Sequence, residues 1–483
     1  AKQESSKKLR RMVQASSRMC GSAVNLLSDR PLVHPGGPLA DSPAILQVEV
    51  PFPPNPLKDD LRMPRDDRSK LSRRAWITTT SGVIAAGLVK TQSDAIRLVA
   101  EEAPPQVADP TKVPGRLVSG VGSRAPAEQP ERLIRAEALS SSSRTPLADL
   151  MGTITPADLH FERHHGGIPD IQLENHELLV HGMVDRPMVF RMSDLMRYPQ
   201  VSKTHFLECS GNGGGVYSQT RMPTEVTVQA MDGLLSTSEW TGVPMSTILR
   251  EVGVRRGASW ILAEGGDAAV MSRSVPLDKV MDDSLLAYGQ NGERIRPEQG
   301  YPLRLFNPGY EGNTSVKWLR RIEVTDQPTH TRDETSKYTD PLGDGTVRQF
   351  SLMMDAKSVI TFPSYPYVLP EQGWWELRGL AWSGRGRITR VEVSTDGGRN
   401  WVDAALQGPI LSKSTVRFRH LFDWNGSDTL ILSRATDETG YVQPTVEQLW
   451  EARGPRTSYH QNHQRAWKIA RTGEVTFGLG EMV

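Results

Sequence analysis

Apolar and polar positions divide the chain into three stretches of different texture. Beyond about residue 345 the period is two. Trp375-Glu376-Leu377-Arg378-Gly379-Leu380-Ala381-Trp382 alternates, as does Ile388–Ser394, and Asp396-Gly397-Gly398 supplies a hairpin turn before Trp401-Val402. Residues 416–422 and 430–435 add further strands. Short strands with regular turn signals predict an all-β, immunoglobulin-like sandwich over 345–475. Between 151 and 330 the periods mix. Leu178-Leu179-Val180-His181-Gly182 reads as a strand, 192–198 as a short helix, and Thr204-His205-Phe206-Leu207-Glu208 as a strand entering a glycine-rich loop. Residues 243–252 recur at helical spacing and end at Gly253, and Trp260-Ile261-Leu262-Ala263 is a strand. This stretch predicts an α+β domain. Before residue 150 no period persists. Residues 1–70, rich in Pro, Ser and charge, read as a disordered leader, and 101–150, with Val113-Pro114-Gly115-Arg116 and a serine run at 140–143, as a linker and arm.

Composition narrows the function. Lys plus Arg is 57 against Asp plus Glu 56, so no general nucleic-acid or membrane-surface binder is expected. No run of ~18 apolar residues exists, and no membrane span is expected. Residues 71–100 carry an export signal: Ser72-Arg73-Arg74-Ala75-Trp76-Ile77 precedes a mildly apolar run from Thr78 to Val89. This twin-arginine pattern implies a periplasmic protein exported already folded, which suits a cofactor inserted beforehand. Met63 lies where an initiator belongs, so residues 1–62 are expected to be upstream sequence. Cys20 and Cys209 alone cannot build a disulfide framework, and without Cys-x-x-Cys-His the chain carries no c-type haem. His34-Pro35-Gly36-Gly37 resembles a haem-binding signature but lacks a second nearby histidine.

The chemistry centres on Leu207-Glu208-Cys209-Ser210-Gly211-Asn212-Gly213-Gly214-Gly215. A cysteine at a strand end, followed by glycines that admit a bulky ligand, is placed to act as a soft thiolate metal ligand; a buried structural cysteine is the alternative. Three further segments carry donors: Phe161-Glu162-Arg163-His164-His165, Gln299-Gly300-Tyr301-Pro302-Leu303-Arg304 and Ser315-Val316-Lys317. Between them lie Glu264-Gly265-Gly266-Asp267 and Ala287-Tyr288-Gly289-Gln290-Asn291-Gly292.

These motifs, in this order over residues 150–470, resemble the sulfite oxidase family of molybdopterin enzymes. Val113–Arg116, Gly152-Thr153-Ile154-Thr155-Pro156 and 159–167 are similar to the molybdenum subunits of sulfane dehydrogenases of the Sox thiosulfate-oxidising type. The resemblance implies a sulfite-oxidase-type molybdopterin domain followed by a dimerisation sandwich, with one molybdenum–molybdopterin per chain. It assigns Cys209 to the metal. It assigns Phe161, Glu162, Arg163, His164, His165, Cys209, Asp267, Gln299, Arg304, Ser315, Val316 and Lys317 to the cofactor, and Tyr288, Arg163 and Arg453 to the reacting centre beside Cys209. It implies a homodimer within a hetero-oligomer, a c-type cytochrome subunit as electron acceptor, and a Sox carrier protein presenting sulfane sulfur as a cysteine persulfide. Where sulfite oxidases commonly have arginine after Cys-x-Gly-Asn, Gly213 and Gly214 stand here, and Gln299 stands for a common histidine. A more open and less positive pocket is therefore expected, suited to sulfur on a protein arm; a sulfite dehydrogenase acting on free sulfite is the alternative.

Overall fold

The computed structural model describes residues 115–217, 223–342, 344–454 and 457–478. The leader expected at 1–70 and the export signal expected at 71–100 lie outside the described residues. Arg116–Val483 form one compact unit. Among the described residues no helix is long and apolar enough to cross a membrane.

The α+β part is built on two sheets. One orders Met188–Arg191, Glu177–Gly182, Leu319–Thr325, Trp260–Gly265 and Ser272–Pro276, with Leu319–Thr325 parallel to Glu177–Gly182 and the other pairs antiparallel. The second orders Glu293–Arg294, Leu285–Gln290, Leu235–Pro244 and Val201–Glu208, with Arg304–Phe306 also paired to Leu285–Gln290. Helix Met245–Val252 packs against the first sheet's core through Met245, Ile248, Leu249 and Val252, a stripe at i, i+3, i+4 and i+7. It starts two residues later than the apolar period predicts. Val243 still pairs with Leu286, so 243 and 244 belong to the strand, and the helix stops at Gly253 with φ 72°.

The second part is a β-sandwich. Lys357–Phe362, Gly373–Trp382, Val416–Trp424 and Ala405–Gln407 form one sheet. Val402–Asp403, Ile388–Ser394, Thr429–Asp437, Ala466–Ile469 and Val475–Gly478 form the other. Leu377, Trp382 and Phe418 pack with Val391, Ile431 and Trp467 between them. Phe206, Met231 and Leu235 join the same core. The strand leading to Cys209 is therefore packed into the sandwich as well as into its own domain.

The stretch expected as linker and arm is in part structured. Leu133–Ile134 pairs with Ser142–Arg144, which pairs with Glu162–Arg163. Residues 142–147 run buried under the chain. Short polar residues carry no period there, but Thr145 Oγ1 and Ser236 Oγ, 2.6 Å apart, both accept from the Phe161 amide. Those bonds fix the arm.

A buried charge network joins the two parts. The Glu208 carboxylate accepts from Lys357 Nζ at 3.1 Å, Asn212 Nδ2 at 2.9 Å and Trp382 Nε1 at 2.7 Å. Lys357 also reaches Asp232 at 2.6 Å, which pairs with Arg465 at 3.1 Å. Removing one partner strands the others without water. Lys357→Met is expected to destabilise the fold by about 3–5 kcal/mol, read from the urea unfolding midpoint, and Glu208→Gln in the same chain to recover part of it. A loss indistinguishable from that of an exposed lysine would contradict the interpretation.

Acid stability follows from two buried imidazoles. Burial pushes His160 down to about 3 and His205 down to about 4, so both are neutral in the fold, while the unfolded chain protonates them near 6.5. Below pH 6.5 the unfolded state binds more protons, so stability is lost as pH falls toward 4, by on the order of 1 kcal/mol per pH unit for each ring. Melting curves between pH 7 and 4.5 should show this fall and a shallower one for His205→Asn; equal slopes would exclude His205 as a source.

Candidate functional site

Strand Val201–Glu208 delivers Cys209 to a tight turn. The Cys209 amide donates to the Leu234 carbonyl at 3.0 Å, and the Asn212 amide donates to the Cys209 carbonyl at 2.9 Å. Gly312 crosses directly behind; a side chain there would begin 2.8 Å from the Glu208 carbonyl oxygen. Burial pushes the Cys209 thiol up, against the pull of the Gly211 amide and of Arg163. Among the described residues no group of three His, Cys, Asp or Glu side chains could hold a metal ion.

Two spaces meet at this thiol. An inner chamber of about 70 Å³ is lined by Phe161, Arg163, His164, His165, Asp267, Gln299, Arg304, Ser315, Val316 and Lys317 together with Cys209. An outer funnel of about 600 Å³ opens from it; Arg163, His165, Cys209 and Tyr338 line both. Nearly all the expected cofactor residues are thus brought together. Glu162 lies just behind them, its carboxylate 2.6 Å from His164 Nε2 and paired with Arg132.

The donors that line the inner chamber suit an anionic ligand rich in polar edges. Arg304 is wholly buried, donates to the Gln299 carbonyl at 3.0 Å and the Ser315 carbonyl at 2.9 Å, and leaves its Nε without a partner. Burial lowers its pKa to about 9. Lys317 Nζ lies 2.9 Å from His164 Nδ1 and donates to the Arg163 and Glu298 carbonyls at 3.1 and 3.0 Å. Burial, then Arg304, hold it well below the ordinary lysine range. Neither cation has an ion pair among the described residues. Two unpaired buried cations are costly in an empty protein and favourable around a phosphate-bearing pterin. Gln299 Nε2 donates to the Phe161 carbonyl at 2.9 Å, tying the two loops across the chamber. Trp318 lines the chamber at φ 52°, a strained conformation for a bulky residue, and sits 4.4 Å under Lys317 Nζ.

Two residues expected at the reacting centre are elsewhere. Tyr288 donates to Gln200 Oε1 at 2.8 Å and lines neither space. The reason is strand parity: Ala287 pairs with Arg304 and shares its face, so Tyr288 points to the opposite face and the other core. Arg453, at the end of helix Val446–Arg453, pairs with Asp340 at 3.1 Å and Asp355 at 3.5 Å and lines neither space. The tyrosine at the junction is Tyr338. Its hydroxyl is 3.0 Å from His165 Nε2, its ring lies 4.9 Å from the Arg273 guanidinium carbon, and burial raises its pKa. Burial and Arg163 push His165 down to about 4, so this pair is neutral. Sequence reading also missed Arg135, Arg144 and Lys337, which line the funnel. None carries a motif; only the pairing of Leu133–Ile134 with Ser142–Arg144 brings the first two there. The funnel is open as expected, but the arm supplies positive charge that the Gly213–Gly215 turn lacks.

Residues 165–332 match the family described as oxidoreductase molybdopterin binding domain, and residues 348–466 match the Mo-co oxidoreductase dimerisation domain. The chain belongs to the sulfite oxidase family of molybdopterin oxidoreductases, and its cofactor is molybdenum with molybdopterin. The crystal structure of the sulfane dehydrogenase SoxCD from Paracoccus pantotrophus is similar, with 42% identity and a TM-score of 0.70 over 78% of this chain and 99% of that one. Nitrate reductase (NADH) of Solanum lycopersicum is 32% identical over 356 residues, 65% of this chain and 38% of the relative. That of Spinacia oleracea is 35% identical over 293 residues, 54% of this chain and 31% of the relative. The chain thus spans about two fifths or less of the length of these curated relatives.

The unpaired cations yield a prediction. Lys317→Met removes a buried cation that has no ion pair among the described residues, so the purified variant is expected to lose most of its molybdenum, measured by mass spectrometry of the metal, while its apoprotein melts no lower than wild-type apoprotein. Full metal content would exclude Lys317 from cofactor retention.

Proposed function

We propose that this chain oxidises sulfane sulfur carried on another protein and passes the electrons to a separate acceptor. The observation that carries this reading is the position of Cys209, the thiol at the boundary between the cation-lined inner chamber and a funnel of about 600 Å³. The cations lining that chamber suit the pterin and its phosphate. A funnel that wide accommodates sulfur presented on a polypeptide arm. The 42% identity to a sulfane dehydrogenase over nearly its whole length supports the same substrate class.

The roles then divide by position. Cys209 holds the metal through its thiolate, and Arg304, Lys317, Gln299 and Asp267 bind and orient the pterin from the chamber walls. When bound, the cofactor supplies two-electron oxidation of sulfur with oxygen taken from water. Tyr338 presents its hydroxyl to the reacting sulfur, with His165 fixing its direction at 3.0 Å and the Arg273 guanidinium behind the ring. Arg163 reaches both spaces and holds anionic oxygen on either side of the thiol. A separate c-type cytochrome subunit takes the electrons, in keeping with the likeness to SoxCD, and the match of the sandwich to a dimerisation domain supports a homodimer. Arg73-Arg74 and the run behind them support export to the periplasm in the folded state.

A sulfite dehydrogenase acting on free sulfite is the competing reading, supported by the arginines around the funnel. Steady-state assays with carrier-bound persulfide, free sulfite and nitrate separate these, and the carrier-bound substrate is expected to give the highest kcat/KM. Cys209→Ser is expected to abolish turnover while circular dichroism and the melting temperature stay near wild type. Turnover at wild-type rate in that variant, or metal analysis finding no molybdenum in the active chain, would sink the assignment.

A further inference from the structure

The funnel wall carries cations beyond Arg163 that the cofactor chamber does not contain. Leu133 pairs with Arg144, Ile134 with Ser143, and Ser142 with Arg163. The Arg135 amide donates to the Ser142 carbonyl at 3.1 Å, extending the first ladder by one residue. Arg135, Ser142 and Arg163 therefore stand in one row across three strands, and Arg144, two residues from Ser142, shares their face. All four line the funnel, together with Lys337, Ser458 and Tyr459. Lys337 has a distant partner in Asp333 at 3.9 Å. The three arginines have no ion pair among the described residues, and no carboxylate lines the funnel among them. Like charges aligned across a sheet repel unless an anion lies between them.

Gly215 accounts for where Arg135 is held. It lies in the helical turn Gly214–Tyr217 and its φ is not in the left-handed region, so backbone conformation does not demand glycine there. A methyl group at 215 would begin 2.7 Å from Arg135 Nη1 and 3.7 Å from its Cζ. The missing side chain leaves the space in which the guanidinium rests, beside the turn that carries Cys209.

We propose that Arg135, supplied by the N-terminal arm, is a specificity-determining residue that with Ser142 and Arg163 clamps the oxyanion of the sulfur group being oxidised. The inference rests on the reading of this site as sulfur-oxidising and adds the group that the funnel recognises. Oxidation of sulfane sulfur puts oxygen on it, and the clamp meets the oxyanion so formed in the funnel beside Cys209.

The test uses the holoenzyme with its electron acceptor. Sulfate, a tetrahedral sulfur oxyanion, is titrated by calorimetry at low ionic strength, and kcat and KM are measured for carrier-bound persulfide and for free sulfite. Arg135→Ala is expected to weaken sulfate binding by about five- to tenfold and to raise KM by a similar factor, with kcat changed by less than about twofold. Arg135→Lys should recover part of the loss. Gly215→Ala, whose added methyl meets the far end of the Arg135 side chain, should reproduce the loss without lowering the melting temperature. The double variant should lose no more than either single one. A KM change confined to the persulfide would assign the clamp to the carried sulfur, and one confined to sulfite would assign it to the free dianion. Unchanged sulfate affinity and KM in Arg135→Ala overturn the proposal, as does strict additivity in the double variant. If the wild type turns over neither sulfur substrate, the proposed function fails on its own, and the sulfate titration still decides the clamp.

Discussion

The carboxylate of Glu208, one residue before the thiol, is the constraint on which the site rests. It is wholly buried, and its acceptor positions are filled by Lys357 and Trp382 of the sandwich and by Asn212 of the cysteine turn. A buried carboxylate tolerates little displacement, because any lost donor leaves charge without water. The turn around Cys209 is thus fixed by groups from both parts of the chain. The same Asn212 accepts from the Leu234 amide at 3.1 Å, next to the carbonyl that receives the Cys209 amide. Lys357 extends the lock to Asp232 and Arg465. The sandwich therefore acts on the reacting centre through its core as well as serving as a dimerisation module.

Charge is used in two different ways on either side of Cys209. Inside, Arg304 and Lys317 are buried, directed by backbone carbonyls and left for a bound anion to neutralise. Outside, Arg135 and Lys337 are exposed in the funnel, where their attraction acts at longer range and is screened by salt. Arg163 belongs to both. An arrangement of this kind suits a resident cofactor held tightly inside and a ligand held loosely outside.

Two strained residues stand at the site. Trp318 and Tyr338 both have φ near 50°, and each places its ring against a cation: Lys317 for the first, Arg273 for the second. Surrounding bonds hold these conformations, with Trp318 Nε1 donating to the Pro297 carbonyl at 3.0 Å and the Tyr338 hydroxyl bound to His165. Arg273 is itself set between Glu311 and Glu334, both buried. The tyrosine at the junction is thereby positioned from behind by a charge network that contacts neither cofactor space directly.

The sequence by itself determined the alternating strands of the sandwich, and it put forward Cys209 and the donor loops at 161–165, 299–304 and 315–317 as candidates. Each is a local signal: period two, a lone cysteine among glycines, or arginine, histidine and lysine gathered within a few residues. Only tertiary structure decided the rest, because the deciding relations are long-range. Tyr288 sits in a motif beside the site, yet the pairing of Ala287 with Arg304 turns it to the other core. Tyr338 has no motif and arrives through its bond to His165, 173 positions earlier. Arg453 is claimed by Asp340 and Asp355, an encounter that no local pattern records. Arg135 and Arg144 read as part of a linker because short polar strands carry no hydrophobic period, and their direction is set only when the arm pairs with Glu162–Arg163.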